Sequence, residues 1–226
     1  MSVVYLVRHG QASFGRSDYD RLSPLGEQQS ARLGTALAER GVKPDLVVSG
    51  AMNRHLRTAE LALDAAGLSA RVETDAGFNE FDHDQIVLAH KPAYKHRAVM
   101  LADLARTRQP ARAFQEMFEQ ATQRWVAGDG TYAESFATFC ERADAAVRRT
   151  AEGVGKGQTA LVFTSAGPIA AVVSRLLTGT DDLWLKLNPV AVNTAVTKIV
   201  SGRRGLTVVS VNDHSHLEGT DLLSYR

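Results

Sequence analysis

Apolar residues gather along this chain in two rhythms. Short unbroken runs occur at Val3-Val4-Tyr5-Leu6-Val7, in "DLVVS" from Asp45 to Ser49, and in "TALVFT" from Thr159 to Thr164. Runs of that length and β-branched content predict strands buried on both faces. Between the first two, Leu25, Gln29, Leu33, Ala36 and Leu37 recur at helical spacing. Ser23-Pro24 ahead of them has the form of an N-cap with proline at the first helical position, and Gly41 beyond them is a typical stop. Leu56, Ala59 and Leu63 mark the apolar face of a second helix from about Asn53 to Gly67, which turns His55 and Arg57 outward. With a short strand at Arg71 to Thr74, the first third alternates β-α-β-α-β, the signature of a parallel sheet covered by helices.

The middle, about 85–153, has no strand pattern. It predicts three helical stretches near 86–106, 111–127 and 133–152, broken at Gln109-Pro110 and Gly128-Asp129-Gly130. After the strand at Thr159 to Thr164 comes a helix from about Gly167 to Leu177. Thr194 to Val200 and Leu206 to Val211 then alternate in polarity around a short glycine-containing loop, a hairpin at the sheet edge. The expected architecture is one α/β domain over 1–226: a three-layer α/β/α sandwich, mostly parallel with an antiparallel edge strand. The helical insertion at about 85–153 is expected to act as a cap.

Composition narrows the class. The 226 residues are 44% hydrophobic and 23% charged with a formal net charge of +1, so nothing suggests nucleic acid as a partner. The single cysteine, Cys140, excludes an intrachain disulfide and lies in a helical core stripe with Phe136, Phe139 and Ala143. No signal peptide or membrane-length apolar run is evident, so a cytoplasmic protein without a membrane partner is expected. Lys91, Lys95, Arg97, Arg106, Arg108 and Arg112 make the middle basic, either as a solvated face or as a surface that draws in an anionic substrate. Trp184-Leu185 and Leu187 suit internal packing or a homodimer contact equally.

Ligands of open α/β sheets bind beyond the carboxyl ends of the strands, near a switch point in strand order. The first strand there delivers Arg8, His9 and Gly10, and the second Ser49 with Arg54 and Arg57. The third is followed by Asn79-Glu80-Phe81-Asp82-His83-Asp84, and the fourth by Thr164, Ser165, Ala166 and Gly167. Arginine grips phosphate oxygens as a fork, helix N-termini add N–H donors, and histidine can carry a phosphoryl group covalently. Two arginines supply the charge that Mg²⁺ supplies elsewhere, so no metal or cofactor is required. Three adjacent residues cannot all face one ion on regular structure, which argues against Asp82-His83-Asp84 as a metal site. On position alone, Glu80, Asp82 and Asp84 compete as the acid.

These segments, in this order, resemble the histidine phosphatase superfamily, the phosphoglycerate-mutase-like fold. "LVRHGQA", "LSPLGEQQ", "SGAMNRHLRTAE", "FNE", "YAESFATFCERA" and "VNDHSHL" carry the likeness over nearly the whole chain. The resemblance implies that His9 attacks phosphorus in line while Arg8 and Arg54 hold the equatorial oxygens. It implies that Glu80 protonates the leaving alcohol, after which water hydrolyses the phosphohistidine. The turn at Ser165 and Ala166 would complete the phosphate site. Arg16 and Ser13, in the loop after the nucleophile, are candidates for substrate contact, the substrate being a small phosphorylated molecule.

Two positions depart from the family pattern. Ser165 stands where the family places a second histidine, and the family's frequent asparagine after the first motif is missing from Ser13-Phe14-Gly15-Arg16. Losing one preorganised donor typically costs ~2.7–4 kcal/mol, roughly 10²–10³ in rate. That predicts a phosphatase of reduced activity. The alternatives are a weak or inactive phosphate-binding or regulatory protein on the same fold and, third, a mutase, which would need both histidines. His214 and His216 are the other candidate imidazoles for the gap.

Overall fold

The computed structural model describes residues 1–13 and 20–225. Its core is a six-stranded sheet in the order β3-β2-β4-β1-β5-β6. The strands are β1 (Ser2–Arg8), β2 (Leu46–Ser49), β3 (Val72–Thr74), β4 (Thr159–Thr164), β5 (Val196–Gly202) and β6 (Gly205–Asp213). The first four run parallel, β5 is antiparallel to β1, and β6 pairs antiparallel with β5 at the edge. The described helices are α1 (Pro24–Glu39), α2 (Asn53–Ala65), α3 (His83–His90), α4 (Arg97–Ala105), α5 (Pro110–Val126), α6 (Phe136–Gly153), α7 (Ala166–Thr178) and α8 (Trp184–Leu187). No described helix is long and apolar enough to cross a membrane.

The chain forms two compact units, Met1–Glu80 with Arg142–Arg226, and Phe81–Glu141. The first holds the sheet. β1 is paired on both edges, and Val4, Leu6 and Val7, which point to the faces of the sheet, are all buried. Val7, Leu33, Leu37, Val47, Leu161 and Phe163 pack together between the sheet and helices α1 and α2. Ser23 caps α1 as its pattern predicts, accepting from Gly26 N, with Pro24 in the first turn. The β5–β6 hairpin closes through Arg203-Arg204, with Gly205 at φ +94° supplying the turn that a side chain would resist.

The second unit is helical. Val87, Tyr94 and Met117 form its core with Leu88, Met100, Phe114 and Phe118. Phe81, Trp125, Phe136 and Phe139 form an aromatic cluster, and the Trp125 indole donates to Glu134 O at 2.9 Å. The single helix expected over 86–106 is in fact α3 and α4 separated by a 3₁₀ turn, Pro92–Lys95. Pro92 has no N–H to continue α3, and it disfavours helical backbone at Lys91, whose φ is −136°.

Topology sets where a site can lie. From β1 the chain crosses toward β2, and from the adjacent β4 it leaves for β5 on the opposite side. That makes the carboxyl ends of β1 and β4 the switch point of the sheet.

Candidate active site

Register brings the two key turns side by side. Arg8 pairs with Thr164 at the last rung of the β1–β4 ladder, so His9 and Ser165 leave adjacent strands together. His9 N donates to Thr164 O at 2.8 Å, and Gly50 N to Phe163 O at 2.9 Å, extending the same order to the end of β2.

The backbone around His9 is fixed from several directions. Gly10 N donates to Thr58 Oγ1, and Asn193 Nδ2 donates to His9 O at 3.2 Å. Thr194 N donates to Arg8 O, from a β-branched residue held at φ +60°. Such backbone is strained, and it persists where its surroundings demand it. Gly10 passes so close to α1 that a Cβ on it would lie 2.4 Å from Gly26 O.

The His9 ring is nearly sealed, at 6% exposure. Its Nδ1 lies 2.7 Å from Gly10 O, which must accept, so Nδ1 carries the proton and Nε2 the lone pair. Burial, then the charges of Arg54 and Arg8, then His55, push its pKa well below the usual histidine value. The imidazole is therefore neutral at pH 7 and nucleophilic at Nε2.

The two expected phosphate arginines are held differently. Arg54, in the first turn of α2, is buried and its Nη1 lies 2.9 Å from Asp20 Oδ1. The same carboxylate accepts from Asn53 N at 2.8 Å, closing the helix N-terminus. Arg8 Nη1 donates to the carbonyls of Ala191 and Tyr225. Arg8 borders a small, largely apolar cavity of about 40 Å³ with Ile169, Ala170 and Val173. That cavity lacks the polar lining a phosphoester needs. Arg57 is a surface ion-pair residue, bonded to Glu27 and Glu60.

Glu80 ends a loop that is tied down throughout. Asp75 caps its 3₁₀ turn at Gly77 N, and Arg142 Nη1 donates to the carbonyls of Gly77 and Asn79. Asn79 Oδ1 accepts from Ala51 N, and Thr164 Oγ1 donates to Phe78 O at 2.6 Å. Glu80 Oε2 then accepts from Gly167 N at 3.2 Å, in the first turn of α7. Ala166, the first residue of α7, presents one of the N–H groups that a helix cannot satisfy itself.

The wall beside His9 is not the one expected. His55 is fully buried, and Leu56, assigned to the core face, is 37% exposed. Ala59 and Leu63 are buried as expected, but the inner face of α2 is completed by Arg54, His55, Thr58 and Ala62. His55 Nε2 lies 2.7 Å from Ser165 Oγ, and its ring centroid is 5.5 Å from that of His9. Burial and the Arg54 charge hold it neutral as well. The polar content of the strand ends hid this face, because a helix lining a site buries polar residues and so breaks the apolar stripe. Thr58 was missed for the same reason, and Asn193 and Asp20 because they lie in irregular segments with no period to read.

The other candidates are placed as follows. His216 shares a hydrogen bond with Thr194 Oγ1, and His214 Nδ1 donates to Asn212 O, so neither ring is spent on Ser165. Ser13 Oγ donates to Leu22 O at 3.0 Å, within its own loop. Arg16 lies outside the described residues. Among the described residues no three His, Cys, Asp or Glu side chains are grouped to hold a metal ion.

A family model described as the histidine phosphatase superfamily (branch 1) matches residues 4–214. A 2,3-bisphosphoglycerate-dependent phosphoglycerate mutase of Thermobifida fusca is 43% identical over 75 residues, 30% of each chain. The chain thus aligns to about a third of the length of such curated relatives. Among solved structures, YhfR of Bacillus stearothermophilus is similar with a TM-score of 0.70 and 21% identity, covering 96% of this chain and all of that one. A phosphoserine phosphatase of Entamoeba histolytica gives a TM-score of 0.66 at 17% identity with the same coverage. At those identities the structural likeness speaks for the fold.

Proposed function

The chain belongs to the histidine phosphatase superfamily, and on that premise we propose that it hydrolyses a phosphomonoester through a phosphohistidine at His9. The observation that carries this is the His9 ring, neutral, nearly sealed and bonded through Nδ1 to Gly10 O, which leaves Nε2 as its nucleophilic atom. Nε2 attacks phosphorus as the ester P–O bond breaks. The Gly10 carbonyl then faces an N–H on a cationic ring and steadies the charge that forms. Glu80 delivers its proton to the departing alkoxide, and the resulting carboxylate takes a proton from water as that water attacks phosphorus and the N–P bond breaks. Arg54, with its rotamer fixed by Asp20, and Arg8, whose guanidinium is tied to the Ala191 and Tyr225 carbonyls, both place positive charge beside the His9 ring. Three solved relatives in fold carry printed phosphatase names, among them a mycobacterial glucosyl-3-phosphoglycerate phosphatase, in keeping with a small phosphorylated metabolite as substrate.

The test is direct. Incubation with a ³²P-labelled aryl phosphate, quenched in base, should leave label on His9. His9→Ala should abolish both label and turnover. Binding of inorganic phosphate with no turnover across a broad panel of phosphoesters would overturn the reading and leave a phosphate-binding protein on this fold.

A further inference from the structure

Ser165 is the N-cap residue of α7, yet its hydroxyl makes no capping bond. A serine in that position ordinarily accepts from the second or third N–H of its helix. Here Glu80 takes Gly167 N instead, and Ser165 Oγ is turned onto His55 Nε2 at 2.7 Å. We propose that His55 is the second imidazole of this pocket. It works through Ser165, holding that hydroxyl so that its O–H is donated to an oxygen of the phosphoryl group passing to His9. His55 is then a positioning residue, and Ser165 the group that meets the substrate. The proposal rests on the phosphatase reading above.

Several features of the pair fit this role. Both residues are sealed from water, as a donor pair that acts on developing charge should be. Ser165 leaves β4 directly beside the residue that leaves β1, His9. The backbone is shaped to the His55 ring, since a Cβ on Gly50 would lie 2.2 Å from its Nδ1. That Nδ1 is buried without a hydrogen-bond partner among the described residues, a condition native structures seldom keep without a use.

The pair can run in either direction while no anion is present. With Nδ1–H, His55 accepts from the serine, and with Nε2–H it donates to it. A phosphoryl oxygen offers only lone pairs, so it selects the second state. Ser165 O–H then turns to the anion and Nε2–H fills the place behind it. Each bond polarises the next in a dry site. Ser165, standing where the family resemblance puts a histidine, is on this account half of a relocated arrangement and not a simple loss.

Four variants test it, read by kcat and KM on an aryl phosphate, by label on His9, and by melting temperature. His55→Leu fills the space without a donor, and Ser165→Ala removes the relay. Each should lower kcat about a hundredfold with little change in KM. The double variant should be no worse than the poorer single one. His55→Gln, whose side-chain N–H reaches the place of imidazole Nε2, should recover much of the loss, which a purely space-filling role would not permit. The proposal is overturned if His55→Leu keeps kcat within about twofold, if Gln and Leu fall equally, or if the two single losses multiply. Should the Leu variant fail to fold, Ser165→Ala and His55→Gln decide alone. Absence of label on His9 in the unmodified protein removes the phosphatase reading and the relay with it. Normal labelling with harmless His55 variants removes only the relay.

Discussion

Moving the protein from pH 7 to pH 5 should destabilise it through its buried imidazoles, and His216 allows the size to be worked out. That residue is 3% exposed and shares a 3.0 Å hydrogen bond with Thr194 Oγ1. Burial, followed by the charge of Arg40, pulls its pKa from 6.5 down to about 4. The same imidazole in the unfolded chain keeps its ordinary value. A group whose pKa is lower in the folded state is protonated first in the unfolded chain, so falling pH favours unfolding. The loss begins near the unfolded value and saturates below the folded one. At pH 5 the unfolded ring is nearly all charged and the folded ring nearly all neutral, a ratio of about 30, which is about 2 kcal/mol. Less than ~0.3 kcal/mol of that is already present at pH 7. His9 and His55, also held neutral by burial, act in the same direction. Against a typical total of ~5–15 kcal/mol this is a large fraction. Urea unfolding from pH 8 to pH 5 would measure it, with His216→Asn as the control that keeps a hydrogen-bonding group but does not titrate. The variant's stability should fall less steeply between pH 6.5 and 5. Parallel curves for the two proteins would mean that His216 takes its proton in the folded state, and would refute the reasoning.

Other outcomes follow from the geometry around His9. Gly50→Ala should lower both stability and turnover, because its methyl would lie 2.2 Å from Nδ1 of a ring with no room to retreat. Overpacking of this kind costs ~1–3 kcal/mol, and an unchanged melting temperature would show that the ring can move. Ser165→His should reduce turnover, since the new imidazole enters space that His55 already fills. Combining it with His55→Ala should restore part of the rate, measured as kcat/KM. Glu80→Gln keeps an acceptor for Gly167 N but has no proton to give. It should slow alkyl phosphates by about 10²–10⁴ and nitrophenyl phosphates far less, and equal losses on both would remove Glu80 as the acid.

The fold was legible wherever burial is uniform. β1, β2 and β4 lie inside the sheet with most of their residues buried, so their apolar runs predict them nearly to the residue. The breaks were legible where Pro or Gly acts alone, as at Pro24 and Gly41. Pro92 was passed over inside a helical pattern, and α8 is too short to show a period. The site was legible as a list of strand ends but not as a wall. His9 and Ser165 could be placed, because residues just past adjacent parallel strands must be neighbours once the strand order is known. His55 could not, because the helical period was anchored on Leu56, and α2 buries a polar face where it approaches the sheet's carboxyl edge. The signal was present in small residues. Ala59 and Ala62, four and seven positions on from His55, leave room for close packing on its own face.

The position of β4 has a bearing on how this molecule comes into being. It lies between β1 and β2, yet nearly half of the chain is synthesised after them before it appears. Until it inserts, neither of those strands has its central neighbour, and the residue that carries the nucleophile has no Thr164 carbonyl to anchor it. Pairing across so long a separation is intrinsically late, because loop closure must be met before the contact rewards it. Helical signal should therefore return first in a refolding experiment, with catalytic competence trailing it. An incomplete ribosome-bound chain that ends before β4 would carry a histidine in the right place in sequence and no site at all.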